Sequence, residues 1–155
     1  MSDALQPLRA LLAQTERQRD ESLTELHRLE LARVAADGQA EELALYRRDY
    51  EGRWQAEFCR EGKIELVRCY QGFMQRLSEA IVQQLHVAAH ATAQVERATA
   101  IVRGHELRAA ALGKLIERRL RDGRQAADRL AQKETDDFAA RAAWNQAARY
   151  GATIL

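Results

Sequence analysis

The chain has 155 residues, of which 30% are charged and only 6% aromatic, with one proline, Pro7, and a formal net charge of +1. This composition excludes a thick aromatic core, and the near-neutral balance excludes a global field that would gather nucleic acid or anionic lipid. What such a chain can bury is a narrow stripe along a long helix, and its sustained apolar period argues against disorder.

The first element is predicted to begin between Asp3 and Gln6. Ser2 and Asp3 are good N-caps, and Pro7 fits a first turn, where a missing amide hydrogen costs little. Its apolar seam runs Leu8, Leu12, Thr15, Arg19, Ser22, Leu26, Leu29, Arg33, Ala36, Ala40, Leu43. The alternating steps of four and three average 3.5 residues, the heptad period of a left-handed coiled coil. Asp37-Gly38 reads either as a turn or as a glycine tolerated inside the helix, and the period continuing in phase favours the second. Beyond Leu43, Tyr46, Tyr50, Trp54 and Phe58 follow at i, i+4 spacing and form one slanting row.

Gly62 is the candidate C-cap and point of reversal. Helix one is therefore expected over about 4–60, a turn over about 61–64, and helix two over about 65–145, in a single domain, 1–155. Ile64, Val67, Tyr70, Phe73 and Leu77 bring apolar groups to the far side of the turn. Phe73 sits beside Met74, which already fills a seam position, so Phe73 is expected to be the exposed aromatic.

The second seam is the stronger one. It steps through Tyr70, Met74, Leu77, Ile81, Gln84, Ala88, Ala91, Val95, Ala98, Val102, His105, Ala109, Leu112, Ile116, Arg119, Gly123, Ala126 and Leu130, and fourteen of these eighteen positions are apolar. A helix of that length spans roughly 90 Å, which no globule of this size encloses. It needs a partner helix, and the first sixty residues can supply one. They carry nine Lys and Arg against twelve Asp and Glu, whereas residues 61–155 carry fifteen against eleven, so the two helices have opposite charge. With the reversal near Gly62, facing residues have numbers that sum to roughly 124. Leu26 then lies near Ala98, and Leu8 near Ile116. Past that point helix two continues alone, with fraying expected beyond about Gln132. The predicted fold is all-α, a long antiparallel two-helix coiled coil (an α-hairpin) with the second helix longer than the first.

Few residues suggest chemistry. His86 and His90 at i, i+4 could share a metal but lack a third ligand in the motif, and two flanking surface histidines is the better reading. His105 stands in the seam, where a polar residue commonly fixes register. Cys59 and Cys69 flank the turn and could bridge it, although a reducing compartment favours free thiols. There is no glycine-rich phosphate loop and no placeable Ser/His/Asp set, so enzymatic activity, a cofactor and a small-molecule substrate are not expected. Without a signal peptide or a long apolar run, the chain is expected in the cytoplasm. The segment from Arg103 to Lys133 has nine basic and four acidic residues. The arginine run from Arg118 to Arg129 reads either as a solvated face or as a contact for an acidic protein surface. Nucleic acid comes third, because aromatics are not interleaved with the basic residues.

Tyr46-x-x-x-Tyr50 with Trp54, then Gly62, then Tyr70-x-x-Phe73-x-x-x-Leu77, and Glu134-x-x-x-Phe138-Ala139 together resemble the FliJ family of flagellar export proteins. The resemblance implies a non-enzymatic component of the flagellar type III export apparatus, at the cytoplasmic face of the inner membrane. Its implied partners are the hexameric export ATPase, the cytoplasmic region of the export-gate membrane protein, and export chaperones. It further implies that Tyr70, Phe73 and Leu77 contact the gate. The ring-facing end would comprise Leu5, Leu8 and Leu12 with Arg118, Arg119, Arg121, Arg124 and Arg129. The alternatives are the similar stalk protein of virulence-type secretion, a general chaperone holding unfolded export substrates along the apolar stripe, and a structural homodimer.

Overall fold

The computed structural model describes residues 2–58 and 62–153. Two α-helices pack against each other as an α-hairpin, and no strand is present among the described residues. Helix α1 runs Ser2–Arg53 and is continued by a π-helical turn, Trp54–Phe58. Helix α2 runs Ile64–Thr153. Helix α1 thus leaves α geometry at Trp54, short of the expected end near residue 60. A π turn widens the spiral and is used in single turns of this kind. Asp37-Gly38 lies inside α1, so the glycine is accommodated and no turn forms. Helix α2 stays helical to Thr153, past the point where fraying was expected. The segment from Phe138 to Ala148 is rich in alanine, the best helix former.

Gly62 has φ of 59°, in the left-handed region that side chains avoid. Apart from its two neighbours in the chain, no atom among the described residues lies within 4 Å of where its Cβ would stand. Gly62→Ala should therefore destabilise the hairpin through backbone strain alone, by about 1 kcal/mol, read from urea denaturation. On the far side of the turn, the Val67 amide donates to the Lys63 carbonyl at 3.2 Å and closes the first turn of α2.

The chain divides into two compact units, one of Glu16–Leu107 and one of Met1–Thr15 with Arg108–Leu155. In the first, the seam residues of both helices are buried or half-buried, and Leu29, Ala36, Leu77, Ala88, Ala91, Ala98 and Val102 form the core. Most are alanine or valine, so the helices can approach closely but each contact buries little area. The predicted register is present. The Gln84 side-chain amide donates to the Ala36 carbonyl and to Gln39 Oε1, both at 3.1 Å. Ala98 and Ile101 lie against Glu21, Ser22 and Glu25, next to the predicted partner Leu26. The residue that bonds across the seam is therefore Gln84. His105 is half-buried, and its Nδ1 has no hydrogen-bond partner among the described residues.

In the second unit, Thr15 and Ile116 are buried, and the Thr15 hydroxyl donates to the Leu11 carbonyl at 2.9 Å. Leu5, Leu8, Leu12, Ala109 and Leu112 are half-buried. The expected seam fails at Arg119, which is exposed, while Leu120 turns inward in its place. An α-helix drifts from the strict heptad, and burying an unpaired guanidinium is costly, so the apolar neighbour takes the position. Ala126 and Leu130 are exposed too, and every residue from Arg124 to Thr153 is exposed.

Candidate interaction surfaces

Five aromatic side chains meet beside the turn in the unit of Glu16–Leu107. The i, i+4 row on α1 and the i, i+3 pair Tyr70 and Phe73 on α2 face each other because the hairpin reverses at Gly62. Trp54 stacks on Tyr70 with centroids 4.1 Å apart and an 11° tilt. Tyr50 lies 4.4 Å from Phe73 and nearly parallel to Tyr70 at 6.2 Å. Tyr46 meets Phe73 edge-on at 6.4 Å. Each such pair adds about 0.5–1.5 kcal/mol beyond its burial.

The cluster corrects the expectation that Phe73 is the exposed aromatic. Phe73 is half-buried between the tyrosines, because it turns across the helix pair rather than outward. The accessible ring is Tyr46, at 52% exposure. Tyr70 is half-buried and Leu77 is buried. Ile64 and Val67 add exposed apolar surface next to the cluster. Cys69 is exposed with a free thiol; Cys59 and the proposed bridge to it lie outside the described residues.

The second surface belongs to the other unit. Arg118, Arg119, Arg121, Arg124 and Arg129 are all exposed on α2. An open groove there is lined by Leu5 and Arg9 of α1 and by Arg119, Leu120, Gly123 and Arg124 of α2, with Asp122 the acidic group among them. It is an apolar slot edged by guanidinium groups. Farther along α2, Leu130, Phe138, Trp144 and Tyr150 are exposed by 60–77%. Leu120 escaped the heptad count, although its four-residue step from Ile116 is an ordinary helical spacing.

His86 and His90 are exposed, and among the described residues no group of three or more His, Cys, Asp or Glu is placed to hold a metal ion. Among the described residues, ion pairs lie within α1. Arg28 binds Glu25 at 2.6 Å, and this hydrogen bond, followed by the charge of the guanidinium, holds the Glu25 carboxyl below its usual range. No described helix is long and apolar enough to cross a membrane.

Fold and surfaces together define an all-helical α-hairpin coiled coil that offers stacked rings in one unit and arginines on an uncovered helix in the other. The family model described as Flagellar FliJ protein matches residues 4–148. The chain belongs to the flagellar FliJ family and is a component of the flagellar protein export apparatus. No curated protein and no solved structure matches it.

Proposed function

We propose that this chain is a non-enzymatic adaptor of flagellar protein export, coupling the hexameric export ATPase to the membrane export gate and engaging export chaperones. It works in the cytoplasm, peripheral to the inner membrane. The observation that carries the reading is the division of contact chemistry between the two units of a family member. An aromatic cluster suits a hydrophobic anchor contact, and an arginine-edged slot suits an acidic protein surface. In this reading Tyr70, Phe73 and Leu77 form the gate contact, with the buried Leu77 supporting it from within the hairpin. Leu5, Leu8, Leu12 and the arginines from Arg118 to Arg129 contact the ring. A chaperone holding unfolded substrates along the seam is less well supported, because the helices cover that stripe themselves.

The direct test is the ATP hydrolysis rate of the cognate export ATPase with and without the chain. The rate should rise, and an unchanged rate would sink the coupling role. Phe73→Ala should weaken binding to the soluble gate region by about tenfold or more while leaving that stimulation in place. Titration calorimetry with the gate region reads the first effect. Far-UV circular dichroism separates it from loss of the hairpin, since Phe73 also supports Tyr50.

A further inference from the structure

The outward face of α1 carries a second apolar stripe, distinct from the seam and from both surfaces above. Leu31, Val34 and Leu45 are 59%, 60% and 61% exposed. Together with Gly38 they follow the heptad period of a helix packing on a helix, at steps of three, four and seven, with Glu41 at the intervening position of the last step. Gly38 lies at the centre of this stripe. A glycine within a helix is less stable than alanine, and apart from the adjoining backbone of its own helix nothing lies within 4 Å of where its Cβ would be. No internal contact requires the missing side chain, and its absence leaves a notch between Val34 and Leu45.

The exposed charges beside the stripe are mainly acidic, Glu30, Glu41 and Glu42 against Arg48. Arg28 and Arg33 are engaged by Glu25 and Asp37 on the same helix. Glu30, Glu41 and Glu42 are exposed and belong to none of the ion pairs of α1. We infer that the Leu31–Val34–Gly38–Leu45 face docks an amphipathic helix of a partner protein whose apolar stripe is flanked by Lys or Arg. Acidic flanks repel an anionic bilayer, which argues against a membrane surface as occupant. A second copy meeting through the same face would oppose like charges, since a two-fold contact pairs a patch with itself.

The test uses the full chain and two synthetic three-heptad helical peptides with the same leucine stripe, one flanked by lysine and one by glutamate, in fluorescence anisotropy. The lysine peptide should bind at least tenfold more tightly than the glutamate peptide. Leu31→Ser with Val34→Ser should lower that affinity at least tenfold, whereas Leu85→Ser, at a comparably exposed site on α2, should leave it unchanged. Glu41→Lys with Glu42→Lys should reverse the preference between the peptides. Gly38→Gln should raise the melting temperature yet weaken binding, a combination that a purely structural glycine does not give. Equal binding of both peptides, or wild-type affinity in the double serine variant, overturns the proposal. So does sedimentation in which the chain alone self-associates through Leu31 and Val34, which would give the face to a second copy. Stimulation of the ATPase should be untouched by these variants, so failure here is separable from failure of the coupling role.

Discussion

Ala98→Asp should destabilise the hairpin by about 3–4 kcal/mol, a large fraction of the stability of a domain this size. Ala98 is 7% exposed in the seam and lies beside Glu21, Ser22 and Glu25 of α1. A carboxylate there loses water, and Glu21 and Glu25, which line the same groove, repel it. Urea denaturation followed by circular dichroism should show a lower midpoint with helicity lost cooperatively. The sign with pH is fixed. Burial and acidic neighbours raise the new carboxyl's pKa in the folded state above its unfolded value. The penalty is therefore full at neutral pH and fades as pH falls through that raised pKa. Ala98→Arg should cost much less, because a long basic side chain can lead its charge out towards Glu21 and Glu25. Equal losses for Asp and Arg would show that volume, not charge, governs the site.

Reversing four arginines together, Arg118→Glu, Arg119→Glu, Arg121→Glu and Arg124→Glu, should weaken association with the export ATPase by about a hundredfold at low salt. Each exposed charge contributes only about 0.2–1 kcal/mol, but four reversals within two turns of one helix replace attraction by repulsion. The side chains are exposed on a helix that stays covered by α1 only as far as Leu120 and Gly123, so the substitutions leave the core intact. Hairpin stability should change little. The wild-type interaction should weaken steeply as salt rises, and the variant's should not. Surface plasmon resonance across a salt series reads both effects. Wild-type affinity in the variant would remove the arginine run from the ring contact and leave only the apolar slot around Leu5 and Leu120.

Periodicity and charge were enough to define two antiparallel helices of unequal length, the reversal at Gly62 and the pairing register near Leu26 and Ala98. These follow from local rules: alternating steps of three and four, and one residue free to take positive φ. Side-chain direction around the turn was not legible in the same way. Phe73 stands next to a seam methionine, which suggests an outward ring. Its actual direction depends on Tyr46 and Tyr50 reaching across from a helix distant in sequence. The choice of Leu120 over Arg119 likewise turns on accumulated helical drift and the cost of burying a guanidinium, neither of which a fixed heptad count contains. Gln84 is a polar position in an otherwise largely apolar seam, and its partners, the Ala36 carbonyl and Gln39, lie on the other helix. Order along a helix can be read residue by residue; what a side chain touches is set by the partner helix, and that information lies elsewhere in the chain.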